Sequence, residues 1–257
     1  MSLPSFFEQA LGFAHPSWQA TLRHALLLMQ TKSPKYLADL AQDDFLPDGQ
    51  RIFAAFSVPL DQIRYVLVGE GPYPRALSAN GYCFMDGAVD SLWSIEVKGG
   101  LSKTVNRATS LRNFMKMLIL AEGLLSIENL NAESLSRVSN FARTDGSGMI
   151  QTMSDLHRNF LSHGFLMLNA SLVFRAHVSP AIDAKAWDVF METIFSALTQ
   201  MPQKPALILW GKIADRLSHM HCINQFEIIK AEHPYNLSFI TNARMQTLFR
   251  EFKLLRK

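Results

Sequence analysis

Four short apolar runs punctuate the chain, and each meets a strand-ending residue. Ile63 to Val68 breaks at Gly69, and residues 165–171 are apolar until Asn169. Residues 206–212 stop at Gly211, and residues 226–238 carry apolar character up to His233 and Pro234. Continuous apolar runs this short are strands buried on both faces, the signature of a parallel sheet. Between them apolar residues recur at helical spacing. A first helix starts near Ser5 with Phe6, Phe7 and Ala10 on one face. A second runs to Met29, with Ser17 as its N-cap and Trp18, Leu22, Ala25 and Met29 inward. Further helices are predicted over 108–122 (Leu111, Met115, Leu118 and Ile119 buried), 152–162, 184–198, 213–220 and 242–255. Residues 86–100 read as irregular, with Trp93 exposed or lining a cleft. Residues 126–150, which include Asp145-Gly146-Ser147-Gly148, read as a long loop. Strand and helix alternate, so the expected class is α/β. The organisation expected is one domain over 1–257: a helical part at 1–50, a core at about 51–240 and a last helix at 242–255.

Composition narrows the function classes. The chain has 257 residues, 48% of them hydrophobic, enough for a sizeable core, and only 18% charged, which argues against extended disorder. A net charge of +3 is compatible with a polyanionic partner without demanding one. The two cysteines, Cys83 and Cys222, are far apart and form no CxxC pair, which fits a reducing, cytoplasmic setting and excludes a cysteine-held iron–sulfur cluster. The longest N-terminal apolar run, Ala25 to Met29, is too short for a membrane span and lacks a signal-peptide layout. His219 and His221 have no third ligand nearby, so no metal is expected. No Walker loop or Ser/His/Asp arrangement stands out.

In a parallel sheet the loops at the strands' carboxyl ends meet at one edge. Those loops are Glu70–Pro74, Asn169–Ser171, Gly211–Lys212 and His233–Ser238. Pro72 and Pro74 stiffen the first, and Gly71 lets a ligand approach the backbone. Tyr73 and Phe84 place aromatic rings nearby, which suits a flat ligand. The amide of Asn169 can read one edge of a base, and the imidazole of His233 can donate to an oxygen that gains charge. Each residue also has a plainer reading, as core aromatic, strand-end turn residue or hydrogen-bonded loop histidine.

Taken together and in order, these segments resemble the uracil-DNA glycosylase superfamily, and its family 1 most closely. Gly69-Glu70-Gly71-Pro72-Tyr73-Pro74 stands where that family has GQDPYH, and Gly81-Tyr82-Cys83-Phe84 where it has GLxF. Leu166 to Ala176 matches LLLNxxLTVRA, Ile208 to Gly211 matches LLWG, and Lys230 to Ser238 matches KAPHPSPLS. The resemblance covers roughly residues 50–240. It implies a three-layer α/β/α domain with a short central parallel sheet, and a base flipped out of DNA into a pocket. It further implies that Phe84 stacks on uracil, Asn169 reads its Watson–Crick edge, and Tyr73 excludes the thymine methyl. Gly69 and Gly71 would lie against the base. His233 would donate to the departing carbonyl oxygen. Leu237 would wedge into the duplex, with Lys212 and Ser238 on the DNA backbone. The implied protein is monomeric, acts on uracil-containing DNA, single- or double-stranded, and needs no cofactor.

Three departures bear on catalysis. The motif aspartate is Gly71, the motif's closing histidine is Pro74, and the serine after His-Pro is Tyr235. Glu70 is the nearest carboxylate and the candidate replacement. The expected activity is therefore reduced or altered base excision. The rivals are a nucleic-acid-binding or sensing protein that keeps the pocket, and a fold-sharing protein with no DNA role. In the last case Arg250, Lys253, Arg256 and Lys257 would be only a solvated face.

Overall fold

The computed structural model describes residues 2–257. Its centre is a four-stranded parallel sheet of strands β1 (Tyr65–Gly69), β2 (Phe165–Asn169), β3 (Ala206–Trp210) and β4 (Ile228–Ala231), in the order β2-β1-β3-β4. The expected α/β class is what the chain adopts. β1 pairs in parallel with both β2 and β3, with Gly69 opposite Asn169 and Val68 opposite Leu209. Every residue of β2 and β3 is buried, which is why their sequences are apolar runs up to Asn169 at the end of β2. The order reverses direction beside β1, so the crevice at the carboxyl ends of β1 and β3 is a topological switch point, the usual place for a ligand.

The described chain divides into two compact units, each made of two segments: residues 2–86 with 164–229, and residues 87–163 with 230–257. In the first, helix Pro16–Lys32 buries Trp18, Leu22, Ala25, Leu26 and Met29 and packs on helix Pro180–Thr199. Trp18 Nε1 donates to the Val58 carbonyl at 2.8 Å, so the buried indole is satisfied. In the second, helix Thr109–Ala121 packs on helix Ala243–Arg250 and on the 3-10 turn Leu237–Thr241. A cluster of Phe114, Phe160 and Phe249 fills its interior.

Several local expectations fail for identifiable reasons. The cap of helix Pro16–Lys32 is His15, whose Nδ1 accepts from the Ser17 N–H, while the Ser17 hydroxyl accepts from Leu60 N–H instead. Residues 126–150 are not one long loop. Helix Ala132–Ala142 occupies their middle, capped by Asn131, whose side chain accepts from Ser134 N–H. Its serines made it look polar, yet Ser136 and Ser139 turn inward and donate to the carbonyls of Val97 and Ser94. Trp93 is neither exposed nor in a cleft: it is 1% exposed and donates to Ile150 O at 2.7 Å. The helix expected from Ala184 starts at Pro180, where proline's missing N–H costs nothing. The last helix ends at Arg250 rather than 255, because Lys253 takes a left-handed backbone at φ 47°. The helix expected over 152–162 is Met153–Ser162, on which Thr152 and Asp155 form a reciprocal capping box.

Candidate active site

In the first unit the carboxyl ends of β1 and β2 bring three expected residues together. A Cβ added at Gly69 would lie 2.8 Å from both Asn169 Oδ1 and Cys83 Cβ, so no larger residue fits between them. Asn169 is 2% exposed. The segment carrying Phe84 is fixed to the sheet edge by Cys83, whose N–H donates to Met167 O at 3.0 Å and whose Sγ–H donates to Leu67 O at 3.1 Å.

Phe84 itself is held in an uncommon conformation. Its φ is 65°, and the Met85 N–H donates to Cys83 O at 2.8 Å, closing a three-residue turn around it. A bulky residue at positive φ is strained, and such strain persists only where the surroundings over-determine it. The surroundings here are explicit. The Tyr73 hydroxyl donates to Phe84 O at 3.3 Å, and the Phe84 ring meets Trp210 edge-on, centroids 5.4 Å apart. Burial, and after it the Asp86 carboxylate, push the Tyr73 phenol well above its usual range, so it stays a neutral donor. The Tyr73 loop thus holds the Phe84 backbone and the end of β3 meets its ring, with the residue left half-buried.

Glu70, Gly71 and Lys212 face elsewhere in the same unit. They line a cavity of about 580 Å³ together with Pro72, Pro74, Ser171 and the first turn of helix Pro180–Thr199. Neither Phe84, Tyr73, Gly69 nor Asn169 lines it. The Glu70–Pro74 loop therefore has two sides: Tyr73 turns toward Phe84, while Glu70 and Gly71 turn toward the cavity. Gly71 has no positive φ, and a Cβ there would meet only Ser171 O at 3.8 Å and Ser171 Cβ at 3.9 Å.

His233, Leu237 and Ser238 lie in the second unit. His233 is exposed, and its Nδ1 accepts the Tyr235 N–H at 3.1 Å. An imidazole accepting at Nδ1 carries its hydrogen on Nε2 when neutral. Leu237 is 70% exposed at the start of its 3-10 turn, and Ser238 beside it is exposed too.

No family model matches the chain. The crystal structure of wild-type UNG from Nitratifractor salsuginis superposes with a TM-score of 0.88 at 32% identity, covering 100% of both chains. The chain belongs to the uracil-DNA glycosylase superfamily. The uracil-DNA glycosylase of Azobacteroides pseudotrichonymphae is 25% identical over 189 residues, 73% of this chain and 68% of that protein. That of Caenorhabditis elegans is 25% identical over 194 residues, 75% of this chain and 55% of its own length. The mimivirus uracil-DNA glycosylase, at 15% identity and a TM-score of 0.54, shares the fold.

Two features of this glycosylase-superfamily chain escaped the sequence reading. Arg175 forms a bidentate pair with the buried carboxylate of Asp183 (2.6 and 3.2 Å), reaches Asp43 at 2.9 Å, and lies over the Tyr36 ring. The Tyr36 hydroxyl closes the cluster on Asp183 at 2.7 Å. This network anchors the segment after β2 to the cavity wall, and its members lie too far apart in sequence to be paired by inspection. The other is Asn113, a polar residue at a wholly buried helix position. The signal was available: an amide inside the apolar stripe of helix 108–122 needs a reason.

Proposed function

We propose that this protein hydrolyses the N-glycosidic bond of uracil, or of a related damaged base flipped out of DNA, at a rate reduced by the glycine at position 71. The observation that carries the reading is the full-length similarity to a UNG crystal structure, with Phe84, Asn169 and His233 kept at the matching motifs. Phe84 stacks on the base, and Asn169 reads its Watson–Crick edge where the base reaches the sheet edge. Tyr73 crowds the base's C5 position. As the bond from the sugar to the base breaks, its electron pair moves onto the uracil, and His233 Nε2–H stabilises the carbonyl oxygen that gains that charge. Water adds to the sugar carbon from the Glu70–Gly71 side of the loop, opposite the face that Tyr73 turns to Phe84, and the Glu70 carboxylate takes its proton. Leu237 fills the gap left in the duplex, and Lys212 and Ser238 meet the DNA backbone. The site works as a monomer without metal or cofactor. Release of free uracil from a uracil-containing oligonucleotide, single- or double-stranded, tests the reading. Tight, uracil-selective binding with no release would instead favour a sensor that keeps the pocket, the reading that the missing carboxylate at Gly71 supports.

Removing the ring with Phe84→Ala is expected to weaken uracil-selective binding by roughly 5- to 150-fold, since base–aromatic stacking contributes about 1–3 kcal/mol. Unchanged selectivity in a folded variant would take Phe84 out of the pocket. Lys212→Ala is expected to act differently. It should weaken binding to DNA with and without uracil alike, and lower the slope of log K against log salt by about 1. A loss confined to uracil-containing DNA would contradict a phosphate contact.

A further inference from the structure

We infer that Asn113 is the positioning residue that fixes the tautomer and aim of His233, an inference that rests on reading His233 as the donor to the departing base. Asn113 is 0% exposed in the middle of helix Thr109–Ala121. Its Nδ2 donates to three consecutive carbonyls, those of Pro234 at 2.8 Å, Tyr235 at 3.2 Å and Asn236 at 3.4 Å. Carbonyls only accept, so the amide can face them with its NH₂ alone, and its orientation is settled by its partners. The Asn113 Oδ1 is buried with no hydrogen-bond partner among the described residues. Packing alone would favour an apolar residue here. The amide's gain is confined to the loop it holds.

The link to His233 runs through one peptide plane. The Pro234 carbonyl and the Tyr235 N–H belong to the same planar, trans unit and point in opposite directions. Asn113 grips the carbonyl at 2.8 Å, which turns the N–H away from the helix and onto His233 Nδ1 at 3.1 Å. With Nδ1 committed as acceptor, the neutral ring carries its hydrogen on Nε2. The Asn236 N–H closes the same loop on His233 O at 2.9 Å. A core helix therefore sets which nitrogen of an exposed imidazole is the donor.

The test compares Asn113→Asp and Asn113→Leu with His233→Ala. Asn113→Asp keeps the shape but sets a carboxylate against three carbonyls, which repels the loop. Asn113→Leu suits the core and removes the donor, so it reports even if the aspartate variant does not fold. Circular dichroism confirms folding, and Met117→Leu on the same helix serves as a packing control. Both Asn113 variants are expected to lower kcat for uracil excision by about 10²-fold, the scale of one lost oxyanion donor. Adding His233→Ala to either should cause little further loss, because residues acting through one group are non-additive. The aspartate variant should recover as pH falls, since burial against carbonyls raises its pKa and the neutral acid can donate again. Independently of activity, long-range ¹H–¹⁵N spectra should show His233 protonated at Nε2 in the wild type and exchanging between tautomers in both variants. Unchanged His233 signals, or fully additive losses, would overturn the inference. A wild type that releases no uracil would instead defeat the functional reading, and the spectra would still decide the role of Asn113.

Discussion

Gly71→Asp is expected to raise uracil excision by about 10²-fold or more, the scale at which a positioned acid or base contributes. The superfamily resemblance places a carboxylate at this position, where it would stabilise positive charge on the sugar and orient water. The structure removes the steric objection. Gly71 does not use a left-handed backbone, so an L-residue keeps the loop's conformation. The new Cβ would make only ordinary contacts with Ser171 at 3.8 and 3.9 Å. Lys212 lines the same cavity and attracts a carboxylate, while the neighbouring Glu70 repels it. Stiffening by Pro72 and Pro74 limits how far the loop can yield to that repulsion. Single-turnover excision on uracil-containing single strands measures the effect. A folded Gly71→Asp protein that binds this DNA yet gains nothing would show that Gly71 is not the main chemical deficit, and that the pocket serves another ligand.

His233→Ala should move the rate the other way, by about 10²–10³-fold, the cost of deleting one donor aimed at a developing oxyanion. The loss belongs in kcat rather than in DNA affinity, because the oxygen becomes a strong acceptor only as the bond breaks. A neutral Nε2–H donor is what the Tyr235 N–H contact to Nδ1 prepares. Measuring His233→Ala in the Gly71→Asp background separates the two effects. If the groups act on opposite ends of the breaking bond, the two changes in log rate should each keep their size. A His233→Ala protein with unchanged kcat but weaker binding would make the imidazole a DNA contact and not a catalytic group.

The parallel sheet was legible because burial on both faces leaves β3 and all of β2 but its last residue apolar, and because Gly69 and Asn169 end β1 and β2 while Gly211 follows β3. Phe84 and Asn169 were legible as candidates from their place after strands. The turn that strains Phe84 was not, since nothing in Tyr82-Cys83-Phe84 marks a positive φ at an aromatic residue. Helix Ala132–Ala142 was misread because its inward serines are satisfied by carbonyls of residues 94–97, a tertiary partner that local composition cannot reveal. The Arg175 cluster draws on Tyr36, Asp43 and Asp183, which only the folded chain brings together. Helix ends slipped by a few residues where backbone geometry, such as that of Lys253, decides the stop.

The interleaving of the two units has a consequence for biosynthesis. Tyr65 of β1 pairs with Phe165 of β2, a hundred residues later, and with Ala206 of β3 later still. At roughly 5–20 residues per second of synthesis, β1 therefore emerges about 5–20 s before its first partner strand. Throughout that interval an apolar strand with both edges open is available to chaperones or to a neighbouring nascent chain. Neither unit is a contiguous stretch of sequence, so no single cut separates them, and a ribosome stalled before β2 releases a chain in which no sheet has formed.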